Sequence, residues 1–430
     1  MNLAASPRPE ALPDACSLGE RLFATRRFSL ELTRGLTAED MTVQAMDDAS
    51  PTKWHLAHTS WFFEALVLAK YQKNYALFDE SFNYCFNSYY ESLGPRQPRP
   101  KRGLLTRPTI ESVLAYHAHV DDGLRALFAK GNGFEPDAAA AIETGINHEQ
   151  QHQELMLTDI LALFAANPLR PAYRAPRPYQ DLGAPKPLGW IPYEGGVYEA
   201  GYAGEDFCFD NETPRHRQFI HPFCLADRLV TNGEWQDFIA DGGYHSFALW
   251  LSDGWAAVNR EGWHAPLYWE ERDGAWFTMT LEGLRPLEPK APVAHVSYYE
   301  AHAFARWAGH RLPTEFEWEI AAGRSETDAQ DPGLTALDPR PARSGGNGGP
   351  SQMFGELWQW TGSAYLPYPG YRAPVGALSE YNGKFMCGQQ VLRGSSCATP
   401  IGHARKTYRN FFYPNQRWQF TGLRLASEVQ

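Results

Sequence analysis

The stretch Asn147-His148-Glu149-Gln150-Gln151-His152-Gln153-Glu154-Leu155-Met156 decides how the first part of this chain folds. It sets two histidines four residues apart, and on an α-helix the side chains at i and i+4 project from one face. That spacing alone is weak evidence for a shared metal ion, because polar surface histidines produce it too. The helical wheel strengthens it. At about 100° per residue, Leu155, Met156 and Leu163 fall within about 60° of His152, so both histidines share the apolar stripe rather than the wet face. Asp159 lies on the same stripe, about 20° from His152, where a carboxylate can orient a ligand imidazole.

A second helix carries the partner motif. Ser50-Pro51 reads as an N-cap followed by proline at the first helical position, opening a helix that runs to about Tyr71. In it stands His55-Leu56-Ala57-His58, with Trp54, Trp61, Phe62, Ala65 and Ala69 within about 60° of His58. His58 thus sits mid-stripe and His55 at its edge. A bundle interior seldom buries three neutral imidazoles idly, since each carries polar nitrogens that need partners. The ligands expected from this reading are His58, His148 and His152, with His55 as a helix-edge or supporting group. The competing reading has these rings bonded to backbone or to one another. His117 and His119 alternate along another helix, cannot both point inward, and are expected at the surface. Three neutral ligands leave about three positions open on an octahedral ion, enough for a thiolate, a heterocycle and O2. A zinc hydrolase needs one open position, so spacing alone leaves zinc possible.

Working outward, the pattern stays helical to about Ala166, with further helices over 18–36, 109–130 and 136–166; four such helices read as a bundle. The run Asn167-Pro168-Leu169-Arg170-Pro171 continues with prolines to Pro187, which precludes a helix and predicts an extended strap. After Gly189 come short apolar runs, frequent Gly, and many Trp and Tyr; only 297–309 and 314–322 look helical. The expected class is α+β in two domains: a four-helix bundle with the metal site over 15–166, a proline-rich linker over 167–187, and a compact α+β module over 188–430. No internal repeat is visible, and Gly345–Pro350 reads as a loop.

Composition excludes several alternatives. A chain of 430 residues has room for two to three domains. A net charge of −11 disfavours nucleic acid, which needs a basic face. No apolar run approaches the roughly 18 residues of a membrane span, and residues 1–17 lack the apolar core of a secretory signal. The six cysteines form no CxxC pair and are expected as reduced thiols in a cytoplasmic protein.

The motifs together resemble a known family. Ser50-Pro51-Thr52-Lys53-Trp54-His55-Leu56-Ala57-His58, Phe86-Asn87-Ser88-Tyr89-Tyr90 and His148–His152 look like the DinB-like half of ergothioneine-pathway sulfoxide synthases. The second half resembles formylglycine-generating-enzyme modules, with a C-type-lectin-like fold, through Arg311–Trp318, Phe354–Thr361, Leu392–Ser395 and Thr421–Leu425. Both signatures in this order make the resemblance specific, over roughly 15–427. It implies Fe2+ held by His58, His148 and His152, with O2 as co-substrate, and C–S bond formation plus sulfoxidation on the imidazole of hercynine. Gln151 would bond the hercynine, and Asn410 would line the trimethylammonium pocket. Members that use γ-glutamylcysteine carry Asn-Trp-Asp and an Arg four residues later; here Asn410-Phe411-Phe412 and Gln416 stand instead, which implies free cysteine as the thiol. That branch's tyrosine from the C-terminal half is read as missing, and the pair Tyr89-Tyr90 is expected to supply the proton or hydrogen atom that steers the reaction to coupling. Arg99 and Arg102 resemble the arginine pair that holds the thiol's carboxylate. Formylglycine formation itself is disfavoured, because Cys397 has no well-placed partner cysteine; Cys397 and the Trp-rich strings of the second half read as core. Rival readings are the ovothiol-type 5-histidylcysteine sulfoxide synthase, selenoneine synthase, a zinc-dependent thiol S-transferase and a non-catalytic recognition protein.

Overall fold

The structure, a computed structural model, describes residues 17–129, 135–177, 187–324, 337–342, 349–374 and 381–429. The chain divides into two compact units, the first holding residues up to Ala175 together with Tyr381, the second holding the remainder from Pro176.

In the first unit, α1 (Leu18–Leu32) starts at a capping box, in which the Ser17 side chain accepts from the Glu20 N–H and Glu20 reaches back to the cap. Next come α2 (Thr52–Phe63), a π-helical turn over Glu64–Leu68, the short α3 (Ala69–Tyr71) and α4 (Phe82–Phe86). The long rods α5 (Ile110–Phe128) and α6 (Pro136–Ala166) complete the bundle; Thr109 caps the first, and proline opens the second. Helix α2 packs against both α5 and α6, and all twelve of its residues are buried. The π turn places the buried Glu64 where its carboxylate accepts from Tyr75 Oη (2.9 Å), Tyr116 Oη (2.6 Å) and the Phe78 N–H (3.1 Å), pinning the chain that follows α3.

A charged network ties α1 to its neighbours. Arg26 is wholly buried and donates to Asp121, to Glu149 (3.1 Å), to Ser60 Oγ (3.2 Å) and to the His117 carbonyl (3.4 Å). Glu149 also accepts from Ser29 Oγ at 2.6 Å. His117 lies inside this network, buried with Nδ1 3.6 Å from Asp121, which corrects the expectation of a surface residue. His119, half-buried, donates from Nε2 to the Ala76 carbonyl at 3.0 Å.

The second unit is a mixed module. A four-stranded sheet runs β10 (Asn410–Phe412), β9 (Gln390–Gly394), β8 (Trp358–Ala364), β11 (Thr421–Leu423), with β8 and β11 parallel and the other pairs antiparallel. A three-stranded sheet joins β1 (Trp190–Tyr193), β4 (Phe223–Ala226) and β12 (Ala426–Glu428). Strands β2 (Gly196–Ala200) and β3 (His216–Ile220) form a ribbon, and β5 (Trp269–Arg272), β6 (Ala275–Thr280) and β7 (Gly283–Pro286) a meander. The helices α9 (Tyr298–Trp307) and α10 (Glu315–Ala322) fall where expected, each behind a capping box. Two further helices, α7 (Asn232–Ala240) and α8 (Ser252–Glu261), were not expected, though the Thr231/Glu234 capping box marks the first.

The Trp-rich strings pack this unit's interior. Trp318, Trp358 and Trp360 are buried, and the Trp318 and Trp360 indoles donate to Gln359 Oε1 and the Val296 carbonyl. Glu315 accepts from both Arg393 (2.8 Å) and Arg409 (2.8 Å), so this interior also holds paired charge. Cys397 is buried, as a small core residue would be.

Candidate metal centre

Four of the residues that matter project from two facing helices. His55 and His58 come from α2; His148 and His152 come from α6. The structure brings His58, His148 and His152 together, all buried, with one ligand nitrogen from each lying within 4.8 Å of the others. His58 Nε2 and His148 Nε2 are 3.2 Å apart. Two nitrogens at about 2.1 Å from one ion and at right angles to each other stand about 3.0 Å apart, so the pair is spaced for a shared cation.

The far sides of the rings fix which nitrogen faces inward. His58 Nδ1 donates to the Phe86 carbonyl at 2.6 Å, which leaves its Nε2 lone pair free to bind. His152 Nδ1 is 2.8 Å from His55 Nδ1, and His55 Nε2 is 3.0 Å from Asp159 Oδ2. His148 Nδ1 is buried without a hydrogen-bond partner among the described residues. Its ring is held instead by packing, 4.6 Å from Phe62 and 5.8 Å from Tyr381. Trp54 stacks on His58 at 4.6 Å and Trp61 at 5.5 Å, walling the rings with aromatic faces.

Burial is also the main electrostatic influence. It holds His58 and His152 well below the ordinary imidazole range, with neighbouring imidazoles adding to the effect. Burial and then His55 push His148 down to about 3. The triad is therefore neutral at pH 7, and three converging lone pairs in a buried site are a donor set for a cation. The residues fit a divalent ion such as Fe2+.

Around the triad, Gln151 accepts a short hydrogen bond from the Tyr381 hydroxyl. Tyr381 comes from the C-terminal half of the sequence, and the sequence reading did not single it out. No period or motif marks it in the sequence. Tyr89 packs edge-on to Tyr381 (6.2 Å) and stacks on Tyr90 (4.8 Å), and Tyr90 in turn meets Trp61 at 5.6 Å. The buried Asn87 fixes this turn, donating to the Tyr90 carbonyl and accepting from its N–H.

Arg102 and Arg99 part company. Arg99 is exposed. Arg102 is buried, 3.4 Å over the Trp54 ring, donating to Ser50 Oγ (2.9 Å) and Ser88 Oγ (3.1 Å). No carboxylate among the described residues pairs with it, and its Nε has no partner there. Burial, with Arg99 nearby, draws its pKa well below the ordinary value.

Asn410, Phe411 and Phe412 lie on β10 of the second unit. Phe411 stacks on Tyr365 at 4.1 Å, Phe412 meets Trp418 at 6.2 Å, and Asn410 Oδ1 accepts from the Phe411 N–H. Gln416 is buried and accepts from the Tyr413 N–H.

Comparison with known proteins agrees with the two-part architecture. The DinB superfamily model matches residues 21–156, and the sulfatase-modifying factor enzyme 1-like domain matches 188–344 and 341–429. The hercynine oxygenase of Mycobacterium tuberculosis is 35% identical over 329 residues, covering 72% of this chain and 75% of that protein. That of Mycolicibacterium thermoresistibile is 32% identical over 453 aligned residues, covering 97% and 96%. A formylglycine-generating enzyme of Streptomyces coelicolor is 36% identical over 148 residues, covering 31% of this chain and 46% of its own length. The fold is α+β in two domains, and agreement with hercynine oxygenases over most or nearly all of the chain decides the kinship: the chain belongs to the hercynine oxygenase family, the ergothioneine-pathway sulfoxide synthases.

Proposed function

We propose that this protein is an iron(II)- and O2-dependent sulfoxide synthase that joins L-cysteine to C2 of the hercynine imidazole, giving hercynylcysteine sulfoxide. The observation that carries this reading is the buried, neutral triad of His58, His148 and His152 with its ligand nitrogens within 4.8 Å of one another. The reaction balances without another reductant. The thiol S–H and the ring C–H are lost, a C–S bond forms, one oxygen atom ends on sulfur, and the other leaves as water.

When bound, the ferrous ion supplies O2 activation and stabilises the thiolate. The chain's own residues do the rest. Arg102, a buried guanidinium lacking a carboxylate partner, holds the carboxylate of cysteine, with Arg99 at the exposed side. Gln151 bonds the hercynine, its amide oriented by Tyr381. Proton delivery is assigned to the tyrosine cluster of Tyr89 and Tyr90, joined by Tyr381, whose ring meets Tyr89 and His148. The resemblance assigns Asn410 to the trimethylammonium group, and Phe411 and Phe412, in place of charged residues, to a preference for cysteine over γ-glutamylcysteine.

The test is anaerobic loading with Fe2+, addition of hercynine, cysteine and O2, and mass spectrometry of the products. Hercynylcysteine sulfoxide is expected from the native protein and none from His152→Ala. Absence of that product from the iron-loaded native protein, or its formation from histidine in preference to hercynine, would overturn the assignment.

A further inference from the structure

The three candidate ligands are supported unequally. His58 leans on a neutral backbone carbonyl at 2.6 Å, and His148 Nδ1 has no partner among the described residues. His152 alone connects to a carboxylate, and it does so through another histidine. The directions in that connection can be worked out. Asp159 Oδ2 accepts from the Ser50 backbone N–H at 2.8 Å, a donor that cannot reverse its role. The same oxygen is 3.0 Å from His55 Nε2, so the proton of that bond sits on His55 Nε2. In the tautomer that carries its proton on Nε2, His55 offers a lone pair at Nδ1. His152 Nδ1, 2.8 Å away, donates to it, and His152 Nε2 is left unprotonated.

We propose that His55 and Asp159 form a two-residue positioning relay that fixes the tautomer and ring orientation of His152 and makes it the strongest donor of the three. This rests on the reading that His58, His148 and His152 hold a metal ion. Carboxylate–histidine–metal arrangements are known to orient a ligand and raise its basicity. Here an additional imidazole is inserted between carboxylate and ligand, so the negative charge acts from one bond further away. Asp159 stands seven positions beyond His152, two turns along α6, and the Ser50 N–H closes the entrance to α2 over the same oxygen. The relay thereby ties the orientation of His152 to the packing of α2 against α6.

The experiment measures binding rather than turnover. Co2+ affinity, by competition with a chelator, and the Co2+ ligand-field spectrum are recorded for native protein, His55→Ala, Asp159→Asn and the double variant, alongside metal-free melting temperatures. His55→Ala is expected to weaken Co2+ binding ~10- to 100-fold and to change the spectrum. Asp159→Asn, which keeps the shape and loses the charge, is expected to weaken it less, and it remains informative if His55→Ala fails to fold. Because the two residues act in series, the double variant should bind no more weakly than His55→Ala alone. Native affinity and spectrum in His55→Ala, losses that multiply in the double variant, or a fall in metal-free melting temperature with binding intact would each overturn the relay. The readout is binding, so failure of the sulfoxide reaction alone does not touch it. A native protein with no affinity for Co2+ overturns the relay together with the metal-centre reading.

Discussion

Replacing Arg102 with Met tests whether its buried charge serves the fold or a substrate. In the fold, the guanidinium makes two hydrogen bonds to serine hydroxyls and lies 3.4 Å over Trp54. Hydrogen bonds from a charged group contribute about 1.5–3 kcal/mol each, and the cation–π contact about 1–2 kcal/mol. Against this stands a desolvation cost of several kcal/mol for a buried ion that no carboxylate contacts, Asp159 attracting it only from further off. The two sides nearly cancel, so Arg102→Met should change stability by no more than about 2 kcal/mol, or roughly 6 °C in melting temperature. A substrate carboxylate is different. Deprived of a buried cationic partner, it loses about 2–4 kcal/mol, which is ~30- to 1000-fold in KM. The assay compares cysteine with cysteamine, which has no carboxylate, in native protein and variant. The advantage of cysteine over cysteamine should vanish in Arg102→Met, with the KM for cysteamine nearly unchanged. Equal losses for both thiols, or a collapse in melting temperature, would refute the reasoning and make Arg102 structural.

Two more expectations follow from buried charge. Arg26→Met strands Glu149 and Asp121 in the bundle interior and should cost about 3–5 kcal/mol, lowering the melting temperature by roughly 10 °C; a calorimetric loss under about 1 kcal/mol would contradict it. In the metal-free protein, His148 is pushed down to about 3 and His295 to about 4, both mainly by burial, from 6.5. Between those values the unfolded chain binds more protons than the folded one, so stability is intact above pH 6.5 and lost as pH falls below it. Each residue should cost about 2 kcal/mol by pH 5, read as a falling melting temperature from pH 7 to 5; a flat profile would be inconsistent with it.

The wheel arguments picked out His58, His148 and His152 because apolar residues gather about each, but where such a stripe ends is legible only when a helix has a wet side to contrast with. Helix α2 has none. Packed against α5 and α6, it buries every residue, so His55, read as a helix-edge group, is turned fully inward against His152. His117 misled for a related reason. Its neighbours Asp121 and Arg26 make a polar interior that hydrophobic patterning scores as surface. Tyr381 was illegible altogether. Its role depends on meeting Gln151 across most of the chain's length, and no local pattern encodes such an encounter. The second unit's class was readable from its motifs, whereas of its two extra helices α7 was signalled by the Thr231/Glu234 capping box and α8 only by Gly262 at its end.

The Phe86 carbonyl that steadies His58 belongs to the main chain. Mutation at position 86 can alter the benzyl group but leaves that oxygen in place, so this tether is hidden from side-chain genetics. Sequence drift can retune the His152 side of the centre one residue at a time. The His58 side changes only if the path of the peptide itself is redrawn, and that makes it the more conservative half of the site.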